Sequence, residues 1–136
     1  MKVIKEEIST KATKKEALEK VVEKFIENKF TKDNYMNAIK AREKQASFYI
    51  GNFIAIPHGT LDAQGDVLKT GLVVLRYDKP ITWDGQKVHY VIGIASKTDE
   101  HIEILTNIAI AFDSEEKVLE SLKKPLDSVI KGIGWK

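Results

Sequence analysis

The chain has no cysteine among its 136 residues. Disulfides, thiolate metal ligands and cysteine nucleophiles are therefore excluded, and the absence fits a reducing compartment. Proline is scarce, at 3 residues, and glycine reaches only 8, so no Pro-rich or Gly/Ser-rich linker interrupts the chain. No fixed period of self-similarity occurs, which argues against solenoid and propeller architectures. Long hydrophobic runs are missing as well. Runs such as Phe53-Ile54-Ala55-Ile56 and Tyr90-Val91-Ile92-Gly93-Ile94-Ala95 are strand-sized, far below the ~20 residues of a membrane-spanning helix. Met1 to Thr10 offers no apolar stretch followed by a small-residue cleavage site. The expectation is a cytoplasmic protein with no direct membrane insertion. Charge of one sign is lacking too: 22 Lys+Arg against 20 Asp+Glu leave a net charge of +2. That is too little for a dedicated polyanion binder, so nucleic acid is not an expected partner.

Ordinary globular usage remains, with 43% hydrophobic and 31% charged residues, at a length suited to one domain over 1–136. Thr13 and Glu16 have capping-box spacing, and Ala17, Leu18, Val21, Val22, Phe25 and Ile26 recur at the helical period, predicting a helix over about 14–29. Thr31 with Lys32, Asp33 and Asn34 signals a second helix start. Its apolar stripe of Tyr35, Met36, Ile39 and Ala38 fades by Gln45, with Arg42 near the end. Residues 47–56 lose that period and gain aromatic and β-branched residues, reading as a strand stopped by Pro57. Gly71–Tyr77 and Val88–Ala95 read as strands apolar at nearly every position, as in a sheet covered by helices on both faces. Asp78-Lys79-Pro80 and Trp83-Asp84-Gly85-Gln86 supply turn residues between them. A helix over about 100–112 is apolar all round and is expected to be wedged in the core. Asp113 with Glu116 opens a further helix to about Lys123, and Pro125 starts a last one ending near Gly132. The order implies an α/β fold with a mixed sheet layered between helices.

Three histidines are candidates for chemistry near neutral pH. His89 alternates with Val88 and Tyr90 inside a predicted strand and reads as a packed structural residue. His58, in Ile56-Pro57-His58-Gly59-Thr60, lies just past a strand end, backed by proline and followed by a glycine that leaves room for a partner. A turn histidine can equally be a bystander. His101 falls in the first turn of the apolar helix, where free N–H groups and the macrodipole favour an anion and a neutral imidazole can donate to a phosphoryl oxygen. Capping or packing at a helix start explains the same position. Arg42 adds a forked cation suited to phosphate oxygens, against the plain reading of a solvated surface arginine. No G-x-x-x-x-G-K-[ST] loop, G-x-S-x-G elbow or H-E-x-x-H motif is present, and Gly132-Ile133-Gly134 lies too near the C-terminus to cradle a dinucleotide. No nucleotide cofactor is expected. His58 and His101 with Asp99 or Glu100 lack the paired spacing of a zinc site, so no metal is expected either.

Phe53-Ile54-Ala55-Ile56-Pro57-His58-Gly59-Thr60 and Val91-Ile92-Gly93-Ile94-Ala95 through Glu100-His101-Ile102 resemble the enzyme IIA domains of the mannitol/fructose family of the bacterial sugar phosphotransferase system. The resemblance covers nearly the whole chain. It extends to Arg42-Glu43-Lys44, Leu68-Lys69-Thr70-Gly71 and Asn107-Ile108-Ala109, and Gly59-Thr60 is similar to the mannitol branch. It implies that His58 accepts a phosphoryl group from phospho-HPr and passes it to a cysteine of the cognate IIB domain of the mannitol permease. By the same resemblance, His101 and Arg42 stabilise that group. The length resembles a stand-alone IIA protein. Phosphoryl transfer asks for an exposed nucleophile, in-line access and preorganised positive charge, with no Mg²⁺ needed between two phosphohistidines. An apolar patch including Phe53 and Ile54 is expected to meet both partners in turn. Three other readings stay open on the sequence: a regulatory relative signalling through His58 phosphorylation, a IIA protein for fructose or another sugar, and a histidine-metal hydrolase.

Overall fold

The computed structural model describes residues 1–135. Five strands and five helices follow in the order β1 (Lys2–Ile8), α1 (Lys14–Glu27), α2 (Tyr35–Glu43), β2 (Tyr49–Gly51), β3 (Ile54–Ala55), β4 (Gly71–Trp83), β5 (Gln86–Ala95), α3 (Glu100–Ala111), α4 (Glu115–Ser121) and α5 (Leu126–Ile133). A 3₁₀ turn over Leu61–Asp66 leads from the His58 segment toward β4. The strands form one sheet in the order β1-β4-β5-β3-β2. β1 runs parallel to β4 and β3 parallel to β5, while β4/β5 and β2/β3 are antiparallel. The sheet is mixed, as the sequence predicts.

The continuous apolar run of β4 explains the layering, because successive strand residues point to opposite faces. Val73 and Leu75 join the cluster built with Val21, Phe25 and Ile39 of α1 and α2. Leu72 and Val74 join Ile104, Ile108, Val118 and Ile130 of α3, α4 and α5 on the other face. α1 packs close over Gly93 of β5, where a Cβ would lie 2.4 Å from Val21 Cγ1. α1 begins with the predicted capping box: Thr13 Oγ1 accepts from Glu16 N at 3.1 Å, and Glu16 Oε1 accepts from Thr13 N at 2.9 Å.

Four expectations are corrected. Lys2–Ile8, where the sequence pattern assigns no element, is an edge strand; its single apolar residues half-bury, and its charges guard the open edge and pair with neighbours, Glu6 with Lys20 at 2.9 Å among them. The predicted strand over 47–56 is two short strands, because Gly51, Asn52 and Phe53 all take positive φ and turn the chain back on itself. β4 runs through Asp78-Lys79-Pro80 to Trp83, absorbing them as a register irregularity between Arg76 and Ile81. The hairpin closes instead at Asp84-Gly85, φ 50° and 84°, the left-handed pair that fits strand twist in a two-residue turn. Finally, α3 is not wedged in the core. Only Ile104 and Ile108 are buried, while Ile102 and Ile110 stand 59% and 68% exposed.

Candidate active site

His58 sits where the chain leaves β3 and rejoins the sheet. Ile94 of β5 donates its N–H to Pro57 O at 2.9 Å, and His58 makes an isolated parallel bridge to Ile94. Proline supplies no N–H here, so the turn is held through its carbonyl. His58 is half-buried rather than a free turn residue. Its ring stacks at a tilt on the buried Phe48, with centroids 5.4 Å apart. His58 Nδ1 lies 2.6 Å from Ile56 O. A carbonyl oxygen only accepts, so Nδ1 carries the proton and donates it there. Nε2 is left with its lone pair free. The sequence alone does not distinguish the two nitrogens.

Burial lowers the pKa of His58 below the ordinary 6.5, outweighing the Ile56 hydrogen bond that raises it; the charges of Arg42 and His101 push in the same downward direction as burial. The imidazole is thus neutral and nucleophilic at physiological pH. We expect the acid limb of the phosphoryl-acceptance rate against pH to fall at a pKa below 6.5, once the donor's own titration is subtracted. A limb at or above 6.5 would contradict the half-buried, neutral ring.

His58 opens on a cavity of about 230 Å³ that Arg42, His101, Tyr35, Thr60 and Leu61 also line. The fold therefore brings together all three residues singled out in the sequence. Arg42, at the end of α2, donates from Nη1 to Ala46 O at 3.0 Å and lies over the face of Phe48, 5.7 Å from its centroid. Phe48 thus carries the arginine as well as the histidine. Among the described residues no carboxylate lies within ion-pairing distance of Arg42, so its charge is left for an anion in the cavity. His101, at the start of α3, donates its backbone N–H to Ser96 Oγ at 3.2 Å and lies with Nδ1 3.3 Å from Thr98 O. That corrects one detail of the sequence reading, since this N–H is already capped and the ring faces the cavity instead. His89 is buried, with Nδ1 2.8 Å from Tyr77 O at the β4 irregularity, a structural residue as predicted.

Two residues that line or support the site are legible in sequence only as core, Phe48 and Tyr35. A tyrosine in an apolar helical stripe is the available signal, because a buried phenol needs a partner for its hydroxyl. The expected docking residues are not at the cavity. Ile54 is 1% exposed beneath the α3–α5 layer, and Phe53 packs edge-on against His89 at 5.7 Å. The apolar side chain at the rim is Leu61, 75% exposed, with Leu105 inside it.

A half-buried, proton-committed histidine beside an unpaired arginine and a second histidine fits the transfer of an anionic group. The family described as "Phosphoenolpyruvate-dependent sugar phosphotransferase system, EIIA 2" matches residues 3–128. The chain belongs to this family of phosphotransferase components. It is 44% identical over 106 residues to the mannitol-specific phosphotransferase enzyme IIA component of Halalkalibacterium halodurans, covering 78% of this chain and 73% of that protein. The fold matches the crystal structure of IIA mannitol from Escherichia coli with a TM-score of 0.79 and 33% identity, over 96% of this chain and 94% of the other. It also matches the Escherichia coli complex of enzyme IIA mannitol with phosphorylated enzyme IIB mannitol, with a TM-score of 0.81 and 32% identity, over 97% and 93%.

Proposed function

We propose that this family member is the phosphoryl carrier of a mannitol phosphotransferase system, taking phosphate from phospho-HPr onto Nε2 of His58 and passing it to a cysteine of the cognate IIB domain. The observation that carries the reading is the Nδ1–H bond to Ile56 O, which leaves one nucleophilic nitrogen beside the cavity shared with Arg42 and His101. In the acceptance step the Nε2 lone pair forms the new P–N bond as the donor's P–N bond breaks. Onward transfer reverses this, with the cysteine thiolate as acceptor. Arg42 offers its remaining N–H groups to the equatorial oxygens, and His101, its Nδ1–H turned to Thr98 O, lines the wall of the same cavity. Both ends of each exchange are phosphorylated protein side chains, so the residues need only position charge. The mannitol-specific names of the relatives and the IIB partner in the matched complex favour transport over a regulatory role or another sugar. On this reading the protein works in the cytoplasm; among the described residues no helix is long and apolar enough to cross a membrane.

The test is to incubate the protein with phosphorylated HPr, map the modified residue, and add an isolated mannitol IIB domain. Label at His58, with ¹⁵N NMR locating phosphorus on Nε2, followed by movement of the phosphate to IIB, is the expected result. Label elsewhere, or label at His58 that IIB does not remove, would overturn the carrier reading.

A further inference from the structure

Tyr35 is buried in the cluster beneath the sheet, 3% exposed, and its ring meets Phe25 edge-on at 5.9 Å. Packing alone asks only for a phenylalanine. The hydroxyl, however, reaches the cavity that His58 lines and accepts the backbone N–H of Gly59, the residue after His58, at 3.2 Å. The contact is close enough to fix the residue type on the other side, since a Cβ at Gly59 would stand 2.4 Å from Tyr35 Oη. The hydroxyl is one donor with two acceptor sites. One acceptor site is used by Gly59, and among the described residues the O–H proton has no recorded acceptor. A buried phenol at the wall of an otherwise cationic cavity, with its donor uncommitted, is placed to meet an anion.

We propose that Tyr35 is a catalytic residue of the transfer: its hydroxyl anchors the loop through Gly59 N–H and donates its own proton in a hydrogen bond to an oxygen of the phosphoryl group on His58. The inference rests on the carrier reading above and adds a fourth contact, a neutral one, to the group held by His58, Arg42 and His101. No proton is transferred. The electrons of the new P–N bond come from Nε2, and the phenol contributes a hydrogen bond as the phosphoryl group settles. Burial raises the Tyr35 pKa above the ordinary 10, with Asp66 pushing the same way and the Gly59 bond opposing, so the hydroxyl keeps its proton throughout the physiological range. A neutral donor from the side of the acceptor loop also couples the phosphoryl group to the backbone that presents the histidine. About 30 Å³ is the share of one water in the liquid, so the 230 Å³ cavity has room for the group and a few waters around it.

The experiment compares Tyr35→Phe with the unsubstituted chain in phospho-HPr labelling, transfer to IIB, lifetime of phospho-His58 and its ³¹P resonance, with thermal unfolding in parallel. We expect transfer slowed about 10- to 100-fold, the worth of one hydrogen bond to a charged acceptor, together with a shifted ³¹P resonance and a shorter phosphohistidine lifetime. Gly59→Ala, which displaces the same hydroxyl, should move the ³¹P resonance and lifetime in the same direction. A lower unfolding temperature with ³¹P shift and lifetime unmoved would make Tyr35 a loop anchor only and overturn the proposal, as would slower transfer with an unmoved resonance. If the unsubstituted chain is not labelled at His58, the carrier reading fails and this proposal with it. That failure is told apart because it occurs without any substitution.

Discussion

His58→Ala should lose phosphate acceptance from phospho-HPr completely while the protein stays folded. No other group can replace it: the cavity's second histidine lies with Nδ1 3.3 Å from Thr98 O, at the start of another element, and the chain has no cysteine. The loss is expected below detection rather than as a fractional slowing, because a removed nucleophile leaves no covalent intermediate. Stability should fall only by about 1 kcal/mol, the net worth of one side-chain hydrogen bond. The ring does pack on Phe48, but Phe48 remains buried by the cluster of α1 and α2. Labelling measured beside amide NMR and thermal unfolding checks both halves. An unlabelled but unfolded variant would leave the labelling result without weight, so His58→Gln, which keeps a polar side chain, belongs in the same series. Normal labelling of a folded variant would remove His58 as the acceptor.

Where the sequence could be read and where it could not follows from how local each signal is. The Thr13–Glu16 box and the stripe from Ala17 to Phe25 are local, and α1 starts and packs as they imply. The turn at Ile56-Pro57-His58-Gly59 is local too, and Arg42 and His101 join it at one cavity. Their meeting is not local. Nothing in the spacing of residues 42, 58 and 101 sets the distance between them, and it was the family resemblance that connected them. β1 escaped because an edge strand half-buries its apolar residues, so Val3, Ile4 and Ile8 among charges lack clean alternation. α3 misled in the opposite sense: its isoleucines promised burial on all sides, yet one face meets the sheet and Ile102 and Ile110 remain outside. Phe53 and Ile54 stand beside the histidine motif in sequence, and that nearness alone makes them candidates for a docking patch. The left-handed turn at Asn52-Phe53 sends Ile54 into the core instead. Tyr35 was counted only as an apolar helix residue, and its hydroxyl gains a meaning once Gly59 is seen against it.

Arg42→Ala should slow transfer by about 10²-fold, the scale for losing one preorganised donor to a developing anion, and Arg42→Lys should restore only part of it. The difference between the two variants is the informative quantity. Arg42 uses one N–H for Ala46 O and sets its guanidinium carbon over the Phe48 ring, two contacts that hold the remaining donors beside the cavity. Lysine keeps the positive charge but has a single ammonium that cannot hold Ala46 and reach the phosphoryl oxygens in one plane. If charge alone mattered, lysine would restore the rate. If the fork matters, lysine stays well below the unsubstituted chain, and its remaining rate falls more steeply with added salt, because an unanchored ammonium is more open to screening. Folding should be little affected by either change, since the arginine's bond to Ala46 O is exposed and no ion pair is broken. Stopped-flow transfer from phospho-HPr at two ionic strengths, with thermal unfolding as the control, measures all of this. An unchanged rate in the alanine variant would return Arg42 to an ordinary solvated arginine; a full rate in the lysine variant would reduce its part to net charge.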